Sequence, residues 1–118
     1  MKSRICKYLI IAFLVLPGIN SFPQGHIMLA GGGSESAGGW SDAPYKWVVD
    51  HAKNRRIAVI TYDNSATSWI PNYFISLGAI NAKNFIITDR TNADKQSVYD
   101  SLITYNGVFI KGGDQSKY

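Results

Sequence analysis

Short apolar runs that each stop at glycine or polar turn residues, spaced so that one helix fits between neighbours, constrain this chain more than any other feature. The last of them is Gly107-Val108-Phe109-Ile110-Lys111-Gly112-Gly113-Asp114-Gln115. Val108 to Ile110 has the character of a buried strand, and it opens into two glycines and two polar side chains. In open α/β sheets ligands bind just beyond the carboxyl ends of strands, and glycine there lets a substrate approach the backbone N–H groups.

Working back along the chain, residues 26–30 (His-Ile-Met-Leu-Ala) read as a first strand opening into Gly31-Gly32-Gly33. Asp42 is placed as an N-cap with Pro44 in the first turn, and Tyr45, Val48, Val49 and Ala52 follow at helical spacing up to Lys53-Asn54. Residues 57–61 are a second buried strand, uniformly apolar as expected where helices cover both faces of a sheet. Its exit, residues 62–68, is polar. Ile70, Tyr73, Phe74 and Leu77 then mark one face of a second helix, with Pro71 in its first turn and Gly78 as its stop. A third strand is expected at 84–88. Thr91 or Asn92 caps a third helix whose apolar positions Val98, Leu102, Ile103 and Tyr105 run to Asn106, and the fourth strand occupies 108–111.

This β-α-β-α-β-α-β order with short connections predicts an α/β fold, a doubly wound and mainly parallel sheet of the Rossmann or flavodoxin type. All the glycine-rich and polar exits then gather on its carboxyl edge. Residues 31–35, 63–68, 89–90 and 112–115 are expected to be neighbours there.

Residues 1–24 stand apart from that domain, which covers residues 25–118. Lys2, Arg4 and Lys7 precede an apolar core at 8–16 and a breaker-rich exit at 17–24, the layout of a secretory signal peptide. The protein is expected to be exported, to the periplasm or outside the cell, and membrane-anchored if the leader is retained. The apolar core is short for a bilayer span.

Removing the leader takes three of the twelve Lys and Arg, leaving nine against eight acids, a formal charge of +1. A nucleic-acid surface is not expected from that balance, since the one local cluster, Lys53, Arg55 and Arg56, lacks interleaved aromatics. These cations are placed at a helix C-terminus, where the dipole favours them. Cys6, the single cysteine, lies in the leader, so the exported part has no disulfide and no thiol nucleophile.

Other chemistry is weakly signalled. Ser36 stands where a dinucleotide loop needs its third glycine, and no Walker lysine follows. His26, read as opening the first strand on the edge away from the site, and His51, in a helix, have no zinc-binding spacing, so neither a metal nor a cofactor is expected. Ser34, Ser36, Ser65 and Ser68 have no identifiable base. Trp40, Trp47 and Trp69 are read as core and loop packing.

The glycine-rich first exit (Leu29-Ala30-Gly31-Gly32-Gly33-Ser34-Glu35), the strand ending in Thr61 before a serine-containing loop, Phe74-Ile75-Ser76-Leu77-Gly78 and above all the strand opening into Gly112-Gly113-Asp114-Gln115 resemble the N-terminal half of cyanophycinase and peptidase E-type serine exopeptidases. That resemblance implies a fold like class I glutamine amidotransferases, incomplete here on its C-terminal side, and hydrolysis of peptide or β-aspartyl-type amide bonds. It places Gly112 and Gly113 as backbone donors to an oxyanion and Gln115 as a substrate-pocket amide. Asp114 is read as capping the next turn, and Asp114, Gly32 and Gly33 as pocket or structural residues. The nucleophilic serine, its histidine base and an acidic residue are expected after Tyr118, so the chain as given carries no catalytic residue and is expected to be inactive alone.

The implied partner is a peptide or polypeptide substrate, with membrane contact only through the export segment. A homo-oligomer is compatible with it. Two other readings stand beside this one: a non-catalytic relative that keeps only a binding cleft, and a Rossmann-like nucleotide- or sugar-binding domain.

Overall fold

The computed structural model describes residues 25–31, 33–114 and 116. The expected leader, and with it Cys6, lies outside the described residues, as do Gly32 and Gln115. The element order is α1 (Asp42–His51), β1 (Arg56–Thr61), α2 (Trp69–Ser76), β2 (Asn81–Ile86), α3 (Arg90–Ala93), α4 (Gln96–Leu102) and β3 (Gly107–Ile110). The three strands form a parallel sheet in the order β2-β1-β3, with Ile57 opposite Ala82 on one side and Gly107 on the other. This is an α/β arrangement of a small parallel sheet with flanking helices.

β1 is central because its sequence allows nothing else. Ile57, Ala58 and Val59 are fully buried, so this strand is covered on both faces, as a run without polar alternation demands. Ile57 and Val59 face α1 and α2, where Tyr45, Val49 and Ala52 of the first helix region meet Ile70, Tyr73 and Phe74 of the second. Phe74 is the largest of the fully buried side chains. It stacks on Tyr45 at 5.0 Å between ring centroids and meets Phe109 of β3 edge-on at 5.3 Å, tying both helices to the sheet. The opposite face carries Ala58, Ile60 and Phe85, and Tyr105 packs edge-on against Phe85 at 5.3 Å. The Arg56 guanidinium lies over the same tyrosine ring.

Several sequence expectations are corrected. Residues 26–30 form no strand; they are exposed, with Ile27 at 85% and Leu29 at 91%, and β1 pairs directly with β3 instead. An apolar run becomes a strand only where it pairs with a partner's ladder, and among the described residues this one pairs with none. His26 accordingly opens no strand.

Asp42 is the first residue of α1 rather than its cap; Ser41 holds the cap position without a capping bond, since its hydroxyl is engaged elsewhere. The helix ends at His51, earlier than Lys53-Asn54, as Ala52 turns extended. Ala52 lies close enough to Gly107 that a Cβ there would touch it. The basic cluster therefore does not decorate a helix end: Arg55 takes a left-handed φ of 49°, and Arg56 belongs to β1.

β2 starts at Asn81, three residues before the expected 84, because the Ile80 N–H donates to the Arg55 carbonyl and opens the ladder there. Asn81 and Lys83 are tolerated since, among the described residues, this strand is paired on one side only and they are exposed. The third helix is capped by Asp89, not Thr91 or Asn92, through the Asn92 N–H at 2.8 Å, and it breaks at Lys95 into α3 and α4. Trp40 and Trp69 are 48% and 44% exposed and Trp47 is half-buried, so none of the three joins the buried core, while Trp40 packs in the loop against Gly33.

Two substitutions test this packing. Phe74→Ala is expected to lower stability by about 3–5 kcal/mol, the usual result of emptying a fully buried phenylalanine site. Gly107→Ala drives a methyl into Ile57 and Ala52, and a loss of about 1–3 kcal/mol is expected. Urea unfolding of both variants reads the values directly.

Candidate functional site

Parallel pairing puts the ends of β1, β2 and β3 on one edge of the sheet. Two of the four expected exits meet there. Lys111, whose N–H donates to the Ile60 carbonyl, extends its ammonium to 3.8 Å from the Asp63 carboxylate. Tyr62 lies beside the glycines: its hydroxyl accepts from the Asp114 N–H at 3.3 Å. Gly113 has φ 155°, which side chains rarely adopt, and a Cβ there would sit 3.0 Å from the Tyr62 hydroxyl. Gly112 has open space around it.

Each carboxylate at this edge is held by its own turn. Asp63 Oδ1 accepts from the Ser65 hydroxyl at 2.7 Å and the Ser65 N–H at 2.8 Å. These bonds, with a smaller contribution from Lys111, hold its carboxyl below the ordinary range. Asp114 accepts from the Ser116 hydroxyl at 2.8 Å and the Ser116 N–H at 3.0 Å, with the same downward effect. Both groups remain anionic acceptors at neutral pH, already engaged and suited to ordering loops rather than to abstracting a proton.

The other two exits are held by bonds of their own, although the β2 exit starts at this edge, where the Ile87 N–H donates to the Thr61 carbonyl at 2.8 Å. Asp89 bonds within its own turn, to the Asn92 N–H, the Asn92 side chain and the Thr88 hydroxyl, and these bonds lower its pKa. The first exit attaches to the helices. The Tyr45 hydroxyl donates to Glu35 at 2.8 Å, and burial, then this bond and the Glu35 charge, push the phenol strongly upward. The Trp40 indole N–H donates to the Ser34 carbonyl at 3.1 Å, and its ring lies against Gly33. Gly33 thus has a structural neighbour in this arrangement.

Sequence reasoning missed the polar group that anchors this exit. Ser41, fully buried, shares a 2.8 Å hydrogen bond with the Tyr73 hydroxyl and accepts from the Ser36 N–H at 3.3 Å. Tyr73 donates to Asp42, and burial followed by this bond raises its pKa. A serine, a tyrosine and an aspartate in contact suggest chemistry, but Ser41 is inaccessible to any substrate. The group pins residues 34–36 to α1 and α2. The only sequence signal was the polar Ser41-Asp42 pair at a helix start.

Among the described residues no group of three or more His, Cys, Asp and Glu is placed to hold a metal ion, and no helix is long and apolar enough to cross a membrane. Comparison of the chain with protein-family models, curated proteins and solved structures finds no match.

The aspartates of the three strand exits are shifted in the same direction, each by bonds within its own turn. Asp63, Asp89 and Asp114 all have lowered pKa values, so their contribution is complete above the ordinary 3.8 and is lost as pH falls through the lowered values. Amide exchange at Ser65, Asn92 and Ser116 is expected to speed up on acidification in that window while β1 stays protected. Gly113→Ala is expected to destabilise by about 1–3 kcal/mol through backbone strain, whereas Gly112→Ala should fall within about 0.5 kcal/mol of wild type.

Proposed function

We propose that this chain supplies the oxyanion side of an exported serine exopeptidase of the cyanophycinase or peptidase E type, acting on peptide or β-aspartyl-type amide bonds. With it goes the finer fold, a doubly wound sheet of the flavodoxin or class I glutamine amidotransferase kind. The reading rests on the Gly112-Gly113-Asp114-Gln115 motif, and the observation that supports it is the position of Gly112 and Gly113. They follow β3 directly at the carboxyl edge of a parallel sheet, beside the exit of β1.

In this proposal a serine hydroxyl, which the resemblance places after Tyr118, attacks the substrate carbonyl while the histidine expected with it takes the hydroxyl proton. The carbonyl oxygen gains negative charge, and the N–H groups of Gly112 and Gly113 receive it. The proton then passes to the amine nitrogen as the C–N bond breaks, and water releases the acyl group from the serine. Glycine suits the role because no Cβ stands between the backbone and the incoming carbonyl, and Gly112 has the open space that approach needs. Gln115 both donates to and accepts from the substrate amide, as a carboxamide can. Asp114 keeps the turn in place through Ser116.

Fluorophosphonate labelling and hydrolysis of β-aspartyl and ordinary dipeptides by the complete gene product test the reading. Covalent labelling with cleavage is expected, and Gln115→Ala should lower kcat/KM by about tenfold, the value of one hydrogen bond to substrate. A product that neither labels nor cleaves overturns the enzyme. Unchanged kcat/KM in Gln115→Ala, in an active protein, overturns the role of that residue alone.

A further inference from the structure

We infer that His26 and His51 form a copper(II) site at the C-terminal end of α1. Their spacing along the chain carries no metal-binding motif, and the fold alone brings them together. The two ring centroids are 4.6 Å apart, and both residues are exposed.

Trp47 shows how the rings meet. Its indole stacks on His51, with 3.9 Å between centroids and 28° between planes, while 6.0 Å separates it from the His26 centroid. Together with the 4.6 Å separation, these distances make nearly a right angle at His51. Trp47 therefore covers a face of the His51 ring, and His26 stands at its edge. The edge is where the lone pair of an imidazole nitrogen points.

His51 is prepared as a ligand. Its Nδ1 lies 2.8 Å from the Trp47 carbonyl oxygen. A carbonyl only accepts, so Nδ1 carries the proton and Nε2 keeps a bare lone pair. A ring N–H held by a backbone carbonyl is the common outer partner of a metal-ligating histidine, fixing its tautomer and orientation. Among the described residues the His26 ring meets only Trp47 and His51, so its nitrogens have no competing hydrogen bond.

Size and charge narrow the choice of ion. With nitrogens about 2.0–2.1 Å from a shared ion, two imidazole centroids lie roughly 4.5 Å apart at a right angle and about 5.2 Å apart at the tetrahedral angle. The observed 4.6 Å falls at the right-angled end. Adjacent corners of a tetragonal nitrogen and oxygen site suit copper(II), the tightest binder of the divalent series, whereas zinc favours the tetrahedron. His51 is also the last residue of α1, where the helix dipole favours a cation. No third histidine, cysteine or carboxylate joins the pair among the described residues, so water completes the shell.

The ion ties His26 to the C-terminal end of α1, while Glu35 and Ser36 bond to Tyr45 and Ser41 at the other. Residues 26–36 are then held at both ends. The site is independent of the peptidase reading and involves no substrate.

The test titrates copper(II) alone into the full chain carrying Cys6→Ser, which removes its one native thiol. One ion per chain is expected to quench the fluorescence of Trp47, and Trp47→Phe should lose that quenching while keeping the affinity. Electron paramagnetic resonance of the complex should show coupling to two imidazole nitrogens. His26→Ala and His51→Ala, both at exposed positions, should each weaken binding at least about tenfold, since losing an outer partner of a ligand alone commonly costs that much. Unchanged affinity in either histidine variant overturns the proposal, because the ion is then held by one imidazole or by neither. One ion per two chains assigns the pair to a contact between copies and also overturns it. Quenching that persists undiminished in Trp47→Phe does the same, since it puts the ion beside Trp40 or Trp69.

Discussion

Burial of β1 on both faces is the constraint on which the rest of this molecule depends. Ile57, Ala58 and Val59 leave no polar group to turn toward water, so the strand must have a neighbour on each side and a layer above and below. β2 and β3 supply the neighbours. Phe74, Tyr45 and Phe109 supply one layer as a continuous aromatic contact, and Tyr105 with Phe85 begins the other. The carboxyl edge follows from this: once both neighbours are parallel to β1, the turns at Asp63 and Gly112 have nowhere to go but the same rim.

The parts of the fold written locally were legible in the sequence. α2 is an example, with Ile70, Tyr73 and Phe74 buried as their spacing indicates and Gly78 at φ 104° just beyond its end. β1 is another. What failed depended on partners distant in sequence. Residues 26–30 are as apolar as β1, yet no local signal says whether a ladder is on offer. The early start of β2 likewise hangs on a hydrogen bond from Ile80 to Arg55, twenty-five residues back along the chain.

The site was legible to a similar degree and for the same reason. Asp114 caps its own turn, a bond between residues two apart, and local spacing is enough to suggest it. The approach of Tyr62 to Gly113 joins two strand exits, and the Ser41–Tyr73 bond joins residues thirty-two apart. Neither pairing has a counterpart in composition or periodicity. Ser41 in particular holds the cap position that the sequence assigns to Asp42, and it is the demand of Tyr73 and Ser36 for a buried partner that diverts its hydroxyl.

The two edges of the sheet are chemically unlike, and this bears on how copies of the chain meet. β2 presents Asn81, Lys83 and Asn84, residues that discourage strand addition, while β3 presents Val108 and Ile110. Among the described residues only the β3 edge favours a further strand, and a growing array needs both edges. Two molecules meeting through β3 would each turn a polar edge outward, so self-association by this route closes at a pair instead of growing into a fibre.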